Sequence, residues 1–241
     1  MHSRLCLAVV GLFLAAAAVA NTSGGVQVHE PGPATPNSLQ TGDDVSLEVA
    51  FEGGDLKNHT YSNVPLGFSV TVPKDWKAVL KSEIKRVLPE VVERNAQAHP
   101  ERSEQVRDNF KSMAVLFMAA EKKSARGQLS LTIMAVPISE EDRTLTGETL
   151  LHQIAESARQ RHRADRYFDE PREKTYGGKR LWQSDLQRPQ SSSLAFMREV
   201  VFVQRGLLVI AMGGAPDRAA LDKLEGIYST LRFFEPKEHR N

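Results

Sequence analysis

Hydrophobic and polar positions first alternate at residues 45–51. Val45, Leu47, Val49 and Phe51 are separated by Ser46, Glu48 and Ala50, and this period of two predicts a strand. Glu52, Gly53, Gly54 and Asp55 read as a turn, with a second short strand over residues 57–62. The run LGFSVTVPKDWKA at residues 66–78 then puts Phe68, Val70 and Val72 on one side and Ser69 and Thr71 on the other. Gly67 permits the turn into this strand, and Pro73 ends it, because proline has no N–H to give to a ladder. Trp76 follows within three residues of that stop. Two readings of it stand: a ligand site, or a corner where sheet becomes helix.

Helical spacing takes over between Trp76 and Met113. Ile84, Val87, Leu88, Val91 and Val92 recur on one face. Pro89 either kinks this helix or opens a new one, and Pro100 begins another over residues 101–112. Apolar strands follow near residues 114–120 and 128–136. The polar link 121–127 ends in glycine and suits a hairpin. Residues 146–161 form an amphipathic helix, with Thr146 as its cap and Leu150, Leu151, Ile154, Ala155 and Ala158 as its stripe.

A meander completes the pattern. Tyr176, Gly177, Gly178 and Lys179 make a tight turn between strands, and the strands after it run over 180–187, 193–204 and 207–212. The last is apolar on both faces, which predicts a central strand covered on both sides. A helix over 215–231 carries Leu221, Leu224, Tyr228 and Leu231 as its core stripe, with Pro216 in its first turn. Phe233 and Phe234 add an edge segment. The order predicts an α+β fold, an antiparallel β-sheet flanked by helices, rather than alternating βαβ units.

The first residues read differently. Met1 to Arg4 form a short basic start, residues 5–17 an apolar stretch, and Ala18-Val19-Ala20 a small-residue cleavage pattern. This predicts a signal peptide at 1–20, cleaved between Ala20 and Asn21. The rival is an uncleaved anchor, but the apolar run falls short of the ~20 residues a spanning helix needs. Residues 21–44 are rich in Gly, Pro, Ser, Thr and Asn and read as a flexible linker or a partner-binding tail. The expected organisation is therefore a leader, a linker, one domain over 45–234 and a polar tail over 235–241. Nothing after the leader is long and apolar enough to span a membrane as a helix.

Charge and cysteine usage narrow the classes. Of 241 residues, 31 are basic and 30 acidic, and removal of Arg4 with the leader leaves the mature chain neutral. Such a balance gives no global reason to bind nucleic acid or an anionic membrane. The single cysteine, Cys6, lies inside the leader, so the mature chain has no disulfide, thiol nucleophile or thiolate ligand.

No catalytic, cofactor or metal residue is assigned. His59, His99, His152 and His162 are isolated in sequence, without the spacing of a metal motif. There is no G-x-S-x-G elbow, and Gly177-Gly178-Lys179 lacks the upstream glycine of a phosphate loop. Glu140, Glu141 and Asp142 read as a solvated loop before they read as an ion site or acid/base pair. Arg159, Arg161, His162, Arg163 and Arg166 could meet an acidic partner or lipid head. Their position at a helix C-terminus also explains the charge through the helix dipole. The four arginines are kept as a candidate partner surface. Trp182, on a strand, is expected in the core.

GFSVTVPKDW, residues 67–76, resembles the start of the PsbP family and of its bacterial relatives, the DcrB-like periplasmic proteins. Residues 196–212, leading through Gly213-Gly214 into a helix that ends Ile-Tyr-Ser-Thr-Leu-Arg-Phe at 227–233, resemble that family's C-terminal end. The resemblance implies an αβα sandwich shared with a Ran-binding release factor. It departs from the pattern at residues 81–113, where the helical region is longer than the family core requires. PsbP supports the oxygen-evolving complex, the Ran-binding relative binds a small GTPase, and some bacterial relatives act as chaperones. The resemblance thus implies an exported, non-catalytic protein-binding or assembly domain without a cofactor, periplasmic or extracellular, whose partner is another envelope or secreted protein. A small-ligand or lipid-binding envelope module is the alternative, and a hydrolase with an unrecognised site is the third.

Overall fold

The computed structural model describes residues 44–98, 100–122, 128–138, 149, 166–187 and 195–235. A short helix, α1 (Leu47–Glu52), leads into the hairpin β1 (Gly54–Lys57) and β2 (Thr60–Asn63), then β3 (Phe68–Thr71) and β4 (Lys77–Ala78). Helix α2 (Lys81–Ala98), a 3-10 turn (Pro100–Arg102) and α3 (Ser103–Lys111) follow. Next come β5 (Ala114–Ala120), β6 (Ser130–Pro137), β7 (Arg166–Tyr176), β8 (Lys179–Gln187), β9 (Phe196–Gln204) and β10 (Leu207–Ala215). Helix α4 (Arg218–Tyr228) and β11 (Arg232–Phe233) close the domain.

The fold is α+β, with antiparallel pairing throughout and helices against the sheets. The strands form two sheets, ordered β1-β2-β3-β11 and β4-β5-β6-β10-β9-β8-β7. Strand β10 is the middle strand of seven and is buried along its whole length, as its two-sided apolar pattern requires. One face of the large sheet packs against the small sheet, α1 and α4. Phe68, Val70, Leu131, Val200, Phe202, Val209, Leu221, Leu224 and Tyr228 meet there. The other face packs against α2 through Ile84, Val87 and Val91, with Phe110 of α3 partly buried beside them.

Several elements differ from the sequence pattern. Residues 47–52 are helix, not strand. Ser46 caps the helix, its Oγ accepting from the Val49 N–H at 3.2 Å, and Leu47, Ala50 and Phe51 turn to the core while Val49 stays exposed. Gly53 ends α1 and Gly54 starts β1. The turn lies instead at Asn58 and His59, both at positive φ, as a two-residue hairpin requires. Strand β7 was implied only by the turn that ends it, without bounds. It is rich in charge, contains Pro171, and shifts register twice between Tyr167 and Arg172, so it has no clean alternation. Pro89 lies inside α2 without ending it, on the exposed side of the helix. Helix α4 is shorter than its apolar pattern suggested. Asp217, not Pro216, sets its start by accepting from the Ala220 N–H at 2.8 Å. The predicted helix at 146–161 lies outside the described residues apart from position 149.

Glycine is required at two close approaches. Gly177, at φ 55 in the β7–β8 turn, would drive a Cβ to 2.4 Å from the Leu231 carbonyl. Gly213 lets α4 lie against β10, since a Cβ there would come 2.6 Å from Leu224 and 2.8 Å from the Tyr228 hydroxyl.

Candidate functional site

The strand-to-helix corner is built from local geometry. Phe68, Val70 and Val72 enter the core, and the Trp76 N–H bonds back to the Pro73 carbonyl at 3.0 Å. Trp76 is 6% exposed and lies in the inner core, while Lys74, Asp75 and Lys77 face water. Lys77 and Ala78 immediately pair with Ala120 and Ala119 of β5. The tryptophan therefore seals the corner. Trp182, expected in the core, is only half-buried and leans on the outer apolar layer beneath α2.

Ala20, Asn21, Glu140, Glu141, Asp142, Arg159, Arg161 and Arg163 lie outside the described residues, as do His99, His152 and His162. Arg166 opens β7, its backbone paired with Gln187. His59 is a turn residue whose carbonyl accepts from the Val72 N–H. Among the described residues, no three His, Cys, Asp or Glu side chains gather as a metal site. No helix among them is long and apolar enough to cross a membrane.

A polar cluster forms where β7, β8 and β9 meet α4. Asp185 and Arg198 face each other directly across β8 and β9, and both are buried. Arg198 donates from Nε to Asp185 Oδ1 at 2.7 Å and from Nη2 to Oδ2 at 2.8 Å. Its Nη1 reaches Glu225 Oε2 at 3.0 Å and the Leu221 carbonyl at 3.3 Å. Arg172 approaches Asp185 from β7 at 3.4 Å, and Lys174 lies 3.7 Å from Glu225. The Tyr176 hydroxyl donates to the Glu225 carboxylate at 2.9 Å. Gln183 is oriented with its amide nitrogen toward the Tyr176 oxygen at 2.7 Å and its carbonyl toward Arg198 and Arg172 at 3.1 and 2.9 Å. The Tyr228 hydroxyl is shared between the Arg198 and Ala211 carbonyls.

The electrostatics follow from this closure. Burial opposes the Arg198 charge, but Asp185 and Glu225 outweigh it and hold the guanidinium well above its usual value. Burial, with the bond to Glu225 second, raises the Tyr176 hydroxyl. Full burial raises Tyr228 well above the ordinary tyrosine value. Each buried charge meets its counter-charge inside the cluster, so the arrangement fastens α4 onto the sheet rather than presenting an acid or base to a substrate. Sequence reasoning missed it because its members come from positions 172 to 225. The available signal was Arg198 and Glu199 inside an otherwise apolar strand.

The opposite face of the sheet carries a second polar line. Met118, Thr132, Met212, Glu199 and Ser184 are lateral neighbours on β5, β6, β10, β9 and β8. All but Glu199, at 5%, are at most 1% exposed. Ser184 Oγ bonds Glu199 Oε2 at 3.4 Å. The hydroxyls of Thr132 and of Ser130, two residues along β6, are buried without a hydrogen-bond partner.

No family model matches the sequence, and no curated protein does. Solved structures of similar fold do exist. One is the cyanobacterial PsbP of Synechocystis sp. PCC 6803, 13% identical, TM-score 0.46, covering 73% of this chain and 91% of that one. Another is LpqN of Mycobacterium tuberculosis, a protein involved in cell envelope biogenesis, 12% identical, TM-score 0.41, covering 69% and 83%. A third, from Bacteroides thetaiotaomicron, is 10% identical with TM-score 0.37, and the match spans 74% of this chain but 49% of that one. Likeness at these identities concerns the fold.

Proposed function

We propose that this chain is an exported, non-catalytic domain that binds another envelope or secreted protein, in an assembly or chaperone-type role. The observation that carries the reading is the helical pair α2 and α3. One stripe of it, Ile84, Val87 and Val91, rests on the large sheet. Its remaining faces turn charge to solvent, including Arg86, Glu90, Glu93, Arg94 and Asp108. Arg107 joins the two helices through a two-point bond to Glu93, at 2.9 and 3.0 Å. A convex, charged, water-facing helical surface can steer and orient a charged protein partner, whereas a small substrate needs a concave pocket. The closed Asp185–Arg198–Glu225 cluster agrees with a structural use of the buried charges.

Export rests on the leader-like residues 1–20, and the arginines at 159, 161, 163 and 166 remain the second candidate contact surface. Affinity capture of the mature protein from an envelope extract tests the reading. A stoichiometric protein partner, lost on Glu90→Arg with Arg94→Glu, is the expected result. Co-purified lipid with no protein would replace the reading by that of a lipid-binding module. Fractionation checks export, and a cytoplasmic chain with Met1 intact would defeat that part.

A further inference from the structure

The two most exposed large apolar side chains among the described residues lie on one side of the molecule. Leu80, between β4 and α2, is 59% exposed, and Val49, on α1, is 51% exposed. Lys81 connects them. Its Nζ donates to the Glu52 carbonyl at 2.6 Å, and Glu52 follows Val49 by three residues on the solvent side of α1. Lys81 and Lys85 also cover the Phe51 ring, at 5.9 and 5.3 Å from its centroid. The charge around these side chains is in surplus on the positive side. Glu52 is the acid that Lys81 and Lys85 share. Asp55 is tied to Lys57, and Glu83 accepts from the Leu80 N–H. Lys77, exposed and three residues before Leu80, has no acid within ion-pair distance among the described residues.

A free backbone edge lies beside these side chains. Strand β4 ends the order of the large sheet opposite β7. Lys77 pairs with Ala120, and the Val79 N–H bonds the Met118 carbonyl at 2.8 Å. In an antiparallel ladder alternate residues turn both backbone groups outward, so Ala78 directs its N–H and C=O away from β5, toward the edge. Lys77 and Leu80 are three residues apart, so along an extended chain they project to opposite faces. An edge lysine discourages pairing with a purely apolar strand and accepts one that brings a carboxylate.

We propose that the β4 edge, with Leu80 and Val49 beside it, docks an extended segment of a protein partner in which acidic and apolar residues alternate. The segment adds a short strand at Ala78, an apolar side chain covers Leu80, and carboxylates meet Lys77 and Lys81. The Ala78 donor and acceptor are matched by another backbone, which a lipid surface does not offer. The proposal rests on the protein-binding reading and names the chemistry of the partner. Its place is the start of α2, away from Glu90 and Arg94.

The test uses the full chain and a short, fluorescently labelled peptide of alternating glutamate and leucine, with a glutamine-for-glutamate peptide as control. Anisotropy should show saturable binding of the acidic peptide. In isotope-labelled protein the Ala78 amide and the Leu80 and Val49 methyl signals should shift together as it is added. The glutamine peptide should bind about tenfold more weakly or worse, and so should the acidic peptide to Lys77→Glu or to Leu80→Asp. If a variant fails to fold, the shifts in the parent chain decide. The proposal is overturned by shifts elsewhere, by equal binding of the glutamine peptide, or by a folded Leu80→Asp that keeps its affinity. Phosphatidylglycerol vesicles that bind the parent chain while the peptide does not would overturn it in favour of a membrane contact. An envelope partner captured equally by Leu80→Asp, but lost on Glu90→Arg with Arg94→Glu, would sink this proposal and leave the protein-binding reading standing.

Discussion

Arg198 grips Asp185 at two points straight across a strand pair, with bonds of 2.7 and 2.8 Å between groups buried from water. Removing one member leaves an uncompensated buried charge, which costs about 3–5 kcal/mol. Asp185→Ala should therefore lower unfolding free energy by about that amount in a urea titration. Replacing both, Asp185→Leu with Arg198→Met, should cost far less. Wild-type stability in the single variant would show that the pair is not buried as described.

Trp76 fills the corner after Pro73 at 6% exposure. Truncating a buried aromatic costs about 3–5 kcal/mol, so Trp76→Ala should shift the urea midpoint sharply. An unchanged midpoint with lost partner binding would turn the corner back into a contact site.

Three of the 4 tyrosines, Tyr61, Tyr176 and Tyr228, are held above their ordinary value near 10, by burial first in each case. The folded state then keeps protons that the unfolded chain gives up. This contribution to stability is whole below pH ~10 and is lost as pH climbs from there toward the folded values. Phenolate absorbance near 295 nm should therefore rise for these three only together with alkaline unfolding. Their ionisation near pH 10 in a chain still folded by circular dichroism would contradict the burial.

The Thr132 hydroxyl is buried and unpartnered. A polar group in that state costs roughly 1–3 kcal/mol, and valine keeps its shape. Thr132→Val should leave stability equal or raise it by about 1 kcal/mol. A clear loss in thermal unfolding would reveal a bond to that oxygen.

Legibility followed the range of the interactions. The Pro73–Trp76 corner, the Gly177–Gly178 turn and central β10 are set by residues adjacent in sequence, and all were readable. Helix α1 was misread because six residues with apolar side chains at 47, 49 and 51 satisfy a strand period. The Ser46 cap and the buried Ala50 decide for helix. The Asp185–Arg198 pair was not readable, because Pro189 and Ser191 to Ser193 mark a break between β8 and β9 without setting the register of the two strands. The gathering of Met113, Met118, Met134, Met197 and Met212 in the layer beneath α2 was equally silent: it exists only once the four strands β5, β6, β10 and β9 are laid side by side.

Strand β7 ends the order of the large sheet among the described residues, and Pro171 interrupts it between the residues paired through Asp169 and Arg172. A passing extended chain meets there a missing N–H, two broken registers and the cations Arg172 and Lys174, none of which it can continue. For a chain whose single cysteine allows no internal disulfide, this edge is a safeguard against runaway ribbon growth in the company of other unfolded chains.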